Sequence, residues 1–307
     1  MRVDPHIAGL LDLISSSGYP PLHESTPEVA RKAMRAMTCG MVQPEQVVPV
    51  AQVRDIVVPG GDGDRPARTY RPEGEGPWPT VLFLHGGGFV VGDLDTHDQV
   101  CRRICRDAAA VVVSVDYRLA PEHPFPAAVE DALAAARWVA EHLSELGGDH
   151  RLGVAGDSAG GNLSAVVAQE LREQVTAQLL IYPAVDVFGD YGSRQENASG
   201  YLLEQETLEW FFTHYAGDAQ VEPHDPRHSP LHGDLAGLPP AVLVTAGYDP
   251  LRDEGTAYAR AVTAAGGRAR VLHYDDMIHG FFDMTFSPAA ERAIADTIAA
   301  FRDELHN

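Results

Sequence analysis

Three cysteines in 307 residues are too few for a disulfide scaffold. Cys101 and Cys105 stand one helical turn apart in HDQVCRRICRDAA, and with no zinc-type CxxC or HExxH pattern they read as small buried thiols. Basic residues are scarce as well, 23 against 44 acidic ones, and the net charge of −21 repels phosphate backbones and anionic lipid surfaces. No nucleic acid partner is expected. Long apolar runs are missing too: no stretch reaches the roughly 20 consecutive apolar residues that span a bilayer. The opening MRVDPHIAGLLDLISSSG lacks the basic-then-apolar order of a secretion signal. These absences lead us to expect a soluble, cytoplasmic protein without stable membrane insertion, in which the sequons at Asn162 and Asn197 carry no weight. Repeats and long charge runs are likewise absent, which leaves a compact globular chain with 45% hydrophobic residues.

What is present is a series of apolar runs bounded by turn residues. They fall at Thr80 to Gly86, Ala110 to Arg118, Arg151 to Gly156, Gln178 to Pro183, Ala241 to Gly247 and Ala269 to Tyr274. Continuous apolar character marks strands buried on both faces. Helical stretches alternate with them, notably Ala127 to Leu146, Gly160 to Gln174, Arg252 to Ala265 and Pro288 to Leu305. Such alternation implies an α/β fold whose mostly parallel central sheet is flanked by helices. Upstream, VRDIVVPG and RPARTYRP predict two antiparallel strands joined by a Gly/Asp turn.

Two regions break the alternation. In the first, Ile7, Leu10, Leu11 and Ile14 keep helical spacing and TPEVARKAMRAM starts a second helix on a capping threonine and proline. In the second, Val187 to Leu238, a helix is predicted around Glu204 to Tyr215. Residues 1–45 and 187–238 are therefore expected to form a helical cap over a core made of 46–186 and 239–307. Trp210, Phe211, Phe212 and Tyr215 on that helix suit either the cap's own core or an acyl pocket. His224 and His228 lie in a proline-rich stretch that reads as loop.

The chemistry gathers at strand ends, where open α/β sheets bind ligands. Ser158 sits between a predicted strand and helix in GDSAGG, with Gly156 and Gly160 giving the G-x-S-x-G pattern of a sharp turn that exposes the hydroxyl. Taken alone, such small residues equally well pack a helix against a strand. HGGGF, at His85 to Phe89, follows another strand, and its glycines can turn their N–H groups toward a cavity with no side chain in the way. Asp249, Asp253, Asp275, Asp276 and His279 lie at or just beyond the ends of two further strands. Asp253 suits a helix cap or a loop bond, while Asp157 and Glu122 suit structural hydrogen bonds near the site.

Five stretches in order, HGGG at 85, DYRLAPEHPFPAA at 116, GDSAGG at 156, DPLRDEG at 249 and HGF at 279, resemble the hormone-sensitive-lipase-like family of α/β-hydrolases, in its GDSAG branch. The resemblance runs from about Pro79 to the C-terminus. It implies an α/β-hydrolase fold and a carboxylic-ester hydrolase with Ser158 as nucleophile, His279 as base and Asp249 as its acid partner. It also implies an oxyanion hole formed by the amides of Gly87, Gly88 and Ala159. The expected substrate is a small-molecule acyl ester of short to medium chain length, with no metal or organic cofactor, and a homodimer is plausible from family habit. A peptidase or amidase, or a non-catalytic small-molecule-binding relative, would share this fold.

Overall fold

The computed structural model describes residues 2–18, 20–40, 42–218 and 221–307. Met1, Tyr19, Met41, Ala219 and Gln220, all within the two segments expected to form a cap, lie outside the described residues. In chain order the strands are β1 (Gln52–Pro59), β2 (Asp64–Arg71), β3 (Trp78–Leu84), β4 (Val111–Val115), β5 (Gly148–Asp157), β6 (Val175–Ile181), β7 (Ala241–Tyr248) and β8 (Ala269–Ile278). The helices are α1 (Pro5–Ser16), α2 (Pro27–Thr38), α3 (Asp98–Asp107), α4 (Ala127–Glu141), α5 (Ala159–Glu170), α6 (Gly192–Glu196), α7 (Gln205–Ala216), α8 (Arg252–Ala264) and α9 (Pro288–His306).

The strands form one sheet in the order β1-β2-β4-β3-β5-β6-β7-β8. β1 pairs antiparallel with β2, and β2 with β4; every later pairing is parallel. The continuous apolar runs follow from burial on both faces. Alternate residues of β3 show it: Val81 and Phe83 pack with α3 and α9, whereas Leu82 and Leu84 pack with α4 and α5. Cys101 and Cys105 on α3 are buried in the first of these layers, and burial pushes both thiols up, that of Cys105 to about 12. They are packing residues.

Strand order places the chemistry. From β3 the chain crosses to β4 on one side, then returns past β3 to β5 on the other, so the order reverses between β3 and β5. Such a switch point opens a crevice beyond the carboxyl ends of its two strands. HGGG leaves β3 there, and Ser158 leaves β5.

Some boundaries differ from the sequence-based expectation. α5 stops at Glu170 instead of Gln174, because residues 171–174 turn back to feed β6, which begins three residues earlier than its apolar run suggests. α4 stops at Glu141, where Gly148 N–H reaches back to the Leu143 carbonyl at 2.7 Å and Gly147 takes a φ of 86°. Helix α3 was not among the helices expected.

Residues of both segments that break the alternation line the same cleft as Ser158. Asp4 caps α1, accepting from the His6 and Ile7 N–H groups, and Thr26 caps α2, accepting from Val29 N–H. Each helix buries one residue, Ile7 and Ala30. Arg31 and Arg35 do the rest for α2, with Arg35 donating to Asp93 and Asp95. The Arg31 guanidinium donates to the Val90 and Ala120 carbonyls at 2.8 and 2.9 Å and to both oxygens of Glu122 at 2.8 and 2.7 Å.

Candidate active site

Ser158 occupies the single residue between β5 and α5, with φ 54° and ψ −116°. That left-handed backbone costs a non-glycine residue about 1–3 kcal/mol, so its surroundings must hold it. Ser158 N–H donates to the Ile181 carbonyl at 2.8 Å, and its own carbonyl accepts from Asn162 N–H at 3.0 Å. The flanking glycines answer to close backbone approach. A Cβ on Gly160 would strike the Leu84 and His85 carbonyl oxygens, and one on Gly156 would strike the Gly160 carbonyl. The hydroxyl is thereby presented at the crevice.

His279 follows β8 and Asp249 follows β7. His279 Nδ1 lies 2.8 Å from Asp249 Oδ2, and Nε2 lies 3.0 Å from Ser158 Oγ. Asp249 is fully buried, and its other oxygen accepts from Leu251 N–H at 2.8 Å. A carboxylate only accepts, so Nδ1 carries the proton and the Nε2 lone pair faces the serine hydroxyl. Two of the competing acids, Asp253 and Asp275, are engaged elsewhere. Asp253 Oδ2 accepts from Ser193 N–H at 2.9 Å, a backbone donor in the first turn of α6 and not in a loop. Asp275 faces His273 Nε2 at 3.1 Å.

Of the HGGG amides, Gly86 N–H is taken by Asp157 Oδ1 at 2.9 Å. The N–H groups of Gly87, Gly88 and Ala159 meet no protein acceptor among the described residues, and all three residues line the same cleft as Ser158. Gly87 and Gly88 have φ of 117° and 58°, and a Cβ on Gly88 would lie inside the Phe211 ring. Unspent donors thus sit beside the nucleophile, roofed by an aromatic ring.

The cleft has a volume of about 2200 Å³. Phe211 and Phe212 from α7, Met34 from α2 and Ile14 from α1 line it above the serine. Tyr215 lines it too but is itself buried, stacked on Phe89 with ring centres 3.8 Å apart. Trp210 does not line it, and packs on Phe211 and His214 instead. Of the four aromatics, Phe211, Phe212 and Tyr215 thus line the cleft and Trp210 does not. Glu122 and Asp157 make structural bonds as expected, the first to Arg31 and the second to Gly86. His224 and His228 fall in loop, and His228 is buried with its carbonyl accepting from Asn162 at 2.7 Å.

Several residues that support the site escaped the sequence reading. Asn197 donates to the Asp249 carbonyl at 3.1 Å, and Ser193 Oγ to the Pro250 carbonyl at 2.8 Å, so the segment around α6 grips the aspartate's loop. Tyr182, with φ 36°, packs its ring 4.5 Å from the His279 ring. The only signal was the Asn197 sequon, which points to the right residue for an unrelated reason.

A serine, histidine and aspartate joined at the switch point of a mostly parallel sheet, beside unspent glycine amides, define a hydrolase of the α/β class. Comparison agrees: a match to the alpha/beta hydrolase fold family spans residues 81–283, and the chain belongs to that family. It is 45% identical over 294 residues to the carboxylic ester hydrolase LipN of Mycobacterium tuberculosis, covering 92% of this chain and 77% of that protein. It is 36% identical to the ethyl acetate hydrolase of Pseudomonas putida, across 99% of this chain and all of that one. The structure of a hyperthermophilic esterase from the archaeon Pyrobaculum calidifontis superposes with a TM-score of 0.91 at 40% identity, covering 99% of both chains. The chain is a carboxylic-ester hydrolase of the serine-esterase type, as its resemblance to the hormone-sensitive-lipase-like enzymes implied. Among the described residues no helix is long and apolar enough to cross a membrane.

Proposed function

We propose that ester hydrolysis proceeds through an acyl-serine at Ser158, with His279 as base and acid, Asp249 as its orienting partner, and Gly87, Gly88 and Ala159 as oxyanion donors. The observation that carries this is the continuous chain from Asp249 Oδ2 through His279 to Ser158 Oγ, with contacts of 2.8 and 3.0 Å. As Oγ attacks the ester carbonyl, Nε2 takes its proton and the carbonyl oxygen becomes an oxyanion held by the three N–H groups. The imidazolium returns the proton to the departing alkoxide, which leaves as the alcohol. Water then adds to the acyl-serine by the same route, releasing the acid and restoring Oγ–H.

Residues 1–45 and 187–238 act as a cap, and the acyl group is of short to medium length. The Phe211 ring over Gly88 supports this, because it leaves a bounded pocket instead of an open lipid-binding face. The ethyl acetate hydrolase among the relatives points the same way. We place the enzyme in the cytoplasm, a reading its three free thiols suit, and propose that any homodimer forms through an outer strand of the sheet. The Ser158→Ala variant should lose about 10⁶ in turnover of a p-nitrophenyl ester. Near-normal turnover by the pure variant would defeat the assignment. A series of esters from acetate to palmitate should peak at or below medium chains, and a maximum at palmitate would defeat the chain-length reading.

A further inference from the structure

Behind the nucleophile lies a buried histidine that the hydrolytic cycle does not use. His97, at the start of α3, is 1% exposed. Its Nδ1 lies 2.9 Å from Thr96 Oγ1, whose own proton goes to the Asp93 carbonyl, leaving that oxygen to accept. Its Nε2 faces Asp157 Oδ1 at 3.4 Å. Nδ1 thus meets a hydroxyl acceptor, and Nε2 meets a carboxylate at ion-pair distance without a hydrogen bond, an arrangement that favours a ring carrying both protons. Asp157 adjoins Ser158 in sequence, and the same Oδ1 receives Gly86 N–H, the amide that anchors the glycine loop to the nucleophile turn.

We infer that His97 is a positioning residue of the esterase reaction, holding Asp157 as the neutralised half of a buried ion pair that keeps the Gly86 to Gly88 amides in place. The inference rests on the reading of Gly87, Gly88 and Ala159 as oxyanion donors. A lone buried carboxylate next to Ser158 would oppose the negative charge that develops on the substrate oxygen, or would take up a proton and weaken its bond to Gly86. An adjacent imidazolium removes both faults. The groups facing His97 are consistent with a cation there. They are Asp157 from β5, His85 from the end of β3 with ring centres 5.3 Å apart, Asp283 from the turn after β8, and Asp93 from its own loop. Burial opposes the charge on His97, but Asp157 outweighs it, with help from Asp283 and Asp93, and its pKa is pushed up to about 9. Burial, followed by the charge on His97, holds His85 down at about 4, so only one of the two rings is charged near neutrality.

The test compares wild type, His97→Gln, Asp157→Asn and the double variant on a short p-nitrophenyl ester, with thermal unfolding as a check that each is folded. H97Q should lower kcat by about 10- to 100-fold while KM stays within about threefold, the pattern of weakened transition-state stabilisation. Adding D157N, whose amide oxygen still accepts from Gly86, removes the stranded charge and should restore kcat by about fivefold or more over H97Q alone. Wild-type kcat should decline as pH rises through about 9, and this limb should vanish in the double variant. The inference is overturned if H97Q keeps kcat within about twofold of wild type, or if the double variant shows the product of the two single losses. Should H97Q fail to fold, D157N decides alone: loss of the alkaline limb supports the pair, and a limb unchanged from wild type rejects it. S158A measured alongside separates the two levels. An active S158A defeats the underlying reading, whereas an inactive S158A with an indifferent H97Q defeats only the role of His97.

Discussion

Strand β3, whose following loop borders the cleft, and helix α2, which lines it directly, are held in opposite ways. All seven residues of β3 are buried, and in α5 eleven of twelve are. Full burial of one large apolar side chain contributes roughly 1.5–3 kcal/mol, so neither element can shift without losing many such terms. Helix α2 buries only Ala30 and is fastened by Arg31 to Glu122 and by Arg35 to Asp93 and Asp95. The parts that hold the reacting atoms are buried and close-packed. Helix α2, which lines the cleft, is attached largely by solvent-accessible ion pairs, which can rearrange at little cost.

The comparison can be tested by perturbing each side in turn. The largest effect belongs to the catalytic chain: Asp249→Asn should lower kcat by about 10⁴, because the amide no longer fixes the His279 tautomer, while leaving KM nearly unchanged. A loss under about tenfold would show that the contact at 2.8 Å does not orient the ring. Next comes packing. Gly160→Ala drives a methyl into the Leu84 and His85 carbonyls and should destabilise the fold by about 3 kcal/mol in urea titration.

A comparable effect is expected from pH. The folded-state pKa of His97, about 9, lies above the roughly 6.5 of a free histidine. Its pairing therefore adds stability that is fully present below pH 6.5 and is lost as pH rises through 9, up to about 3 kcal/mol in all. Burial holds the Glu254 carboxyl up at about 7, which lowers stability as pH rises from its unfolded value to 7 and adds nothing further above that. Denaturation at pH 7 and 9.5 should consequently show a drop in wild type that the H97Q/D157N double variant lacks.

The α2 side should respond less. Arg31→Ala should raise KM several-fold, roughly 1 kcal/mol, with kcat within about twofold, and added salt should weaken the wild type in the same direction. Arg31 lowers the Glu122 pKa to about 2, so this link should hold from neutral pH down to mild acid. The smallest change is expected at Leu13, 66% exposed on α1, where a serine should alter stability by less than about 0.5 kcal/mol.

The same division governs what the sequence could tell. Strands buried on both faces must be apolar throughout, so β3 to β7 stood out as runs. Gly156 and Gly160 were legible because backbone passes too close for any side chain, and Ser158 with them. Asp249 and His279 were legible as residues just past strand ends, once the resemblance supplied their order. The supporting residues were not. His97 meets Asp157 across 60 positions, Asn197 meets Asp249 across 52, and Arg31 meets Glu122 across 91, and no period or local pattern encodes such pairs. The position of β2 beside β4 and the early ends of α4 and α5 were equally hidden, because they depend on where neighbouring strands begin.

The central claim is that one nucleophile, Ser158, carries the chemistry. The most direct measurement is reaction with an alkyl fluorophosphonate followed by peptide mass spectrometry. The account predicts one phosphonyl group per chain, on the peptide bearing Ser158, with activity lost in step and no adduct on S158A. An adduct on another residue, or hydrolysis that survives complete labelling of Ser158, would contradict it.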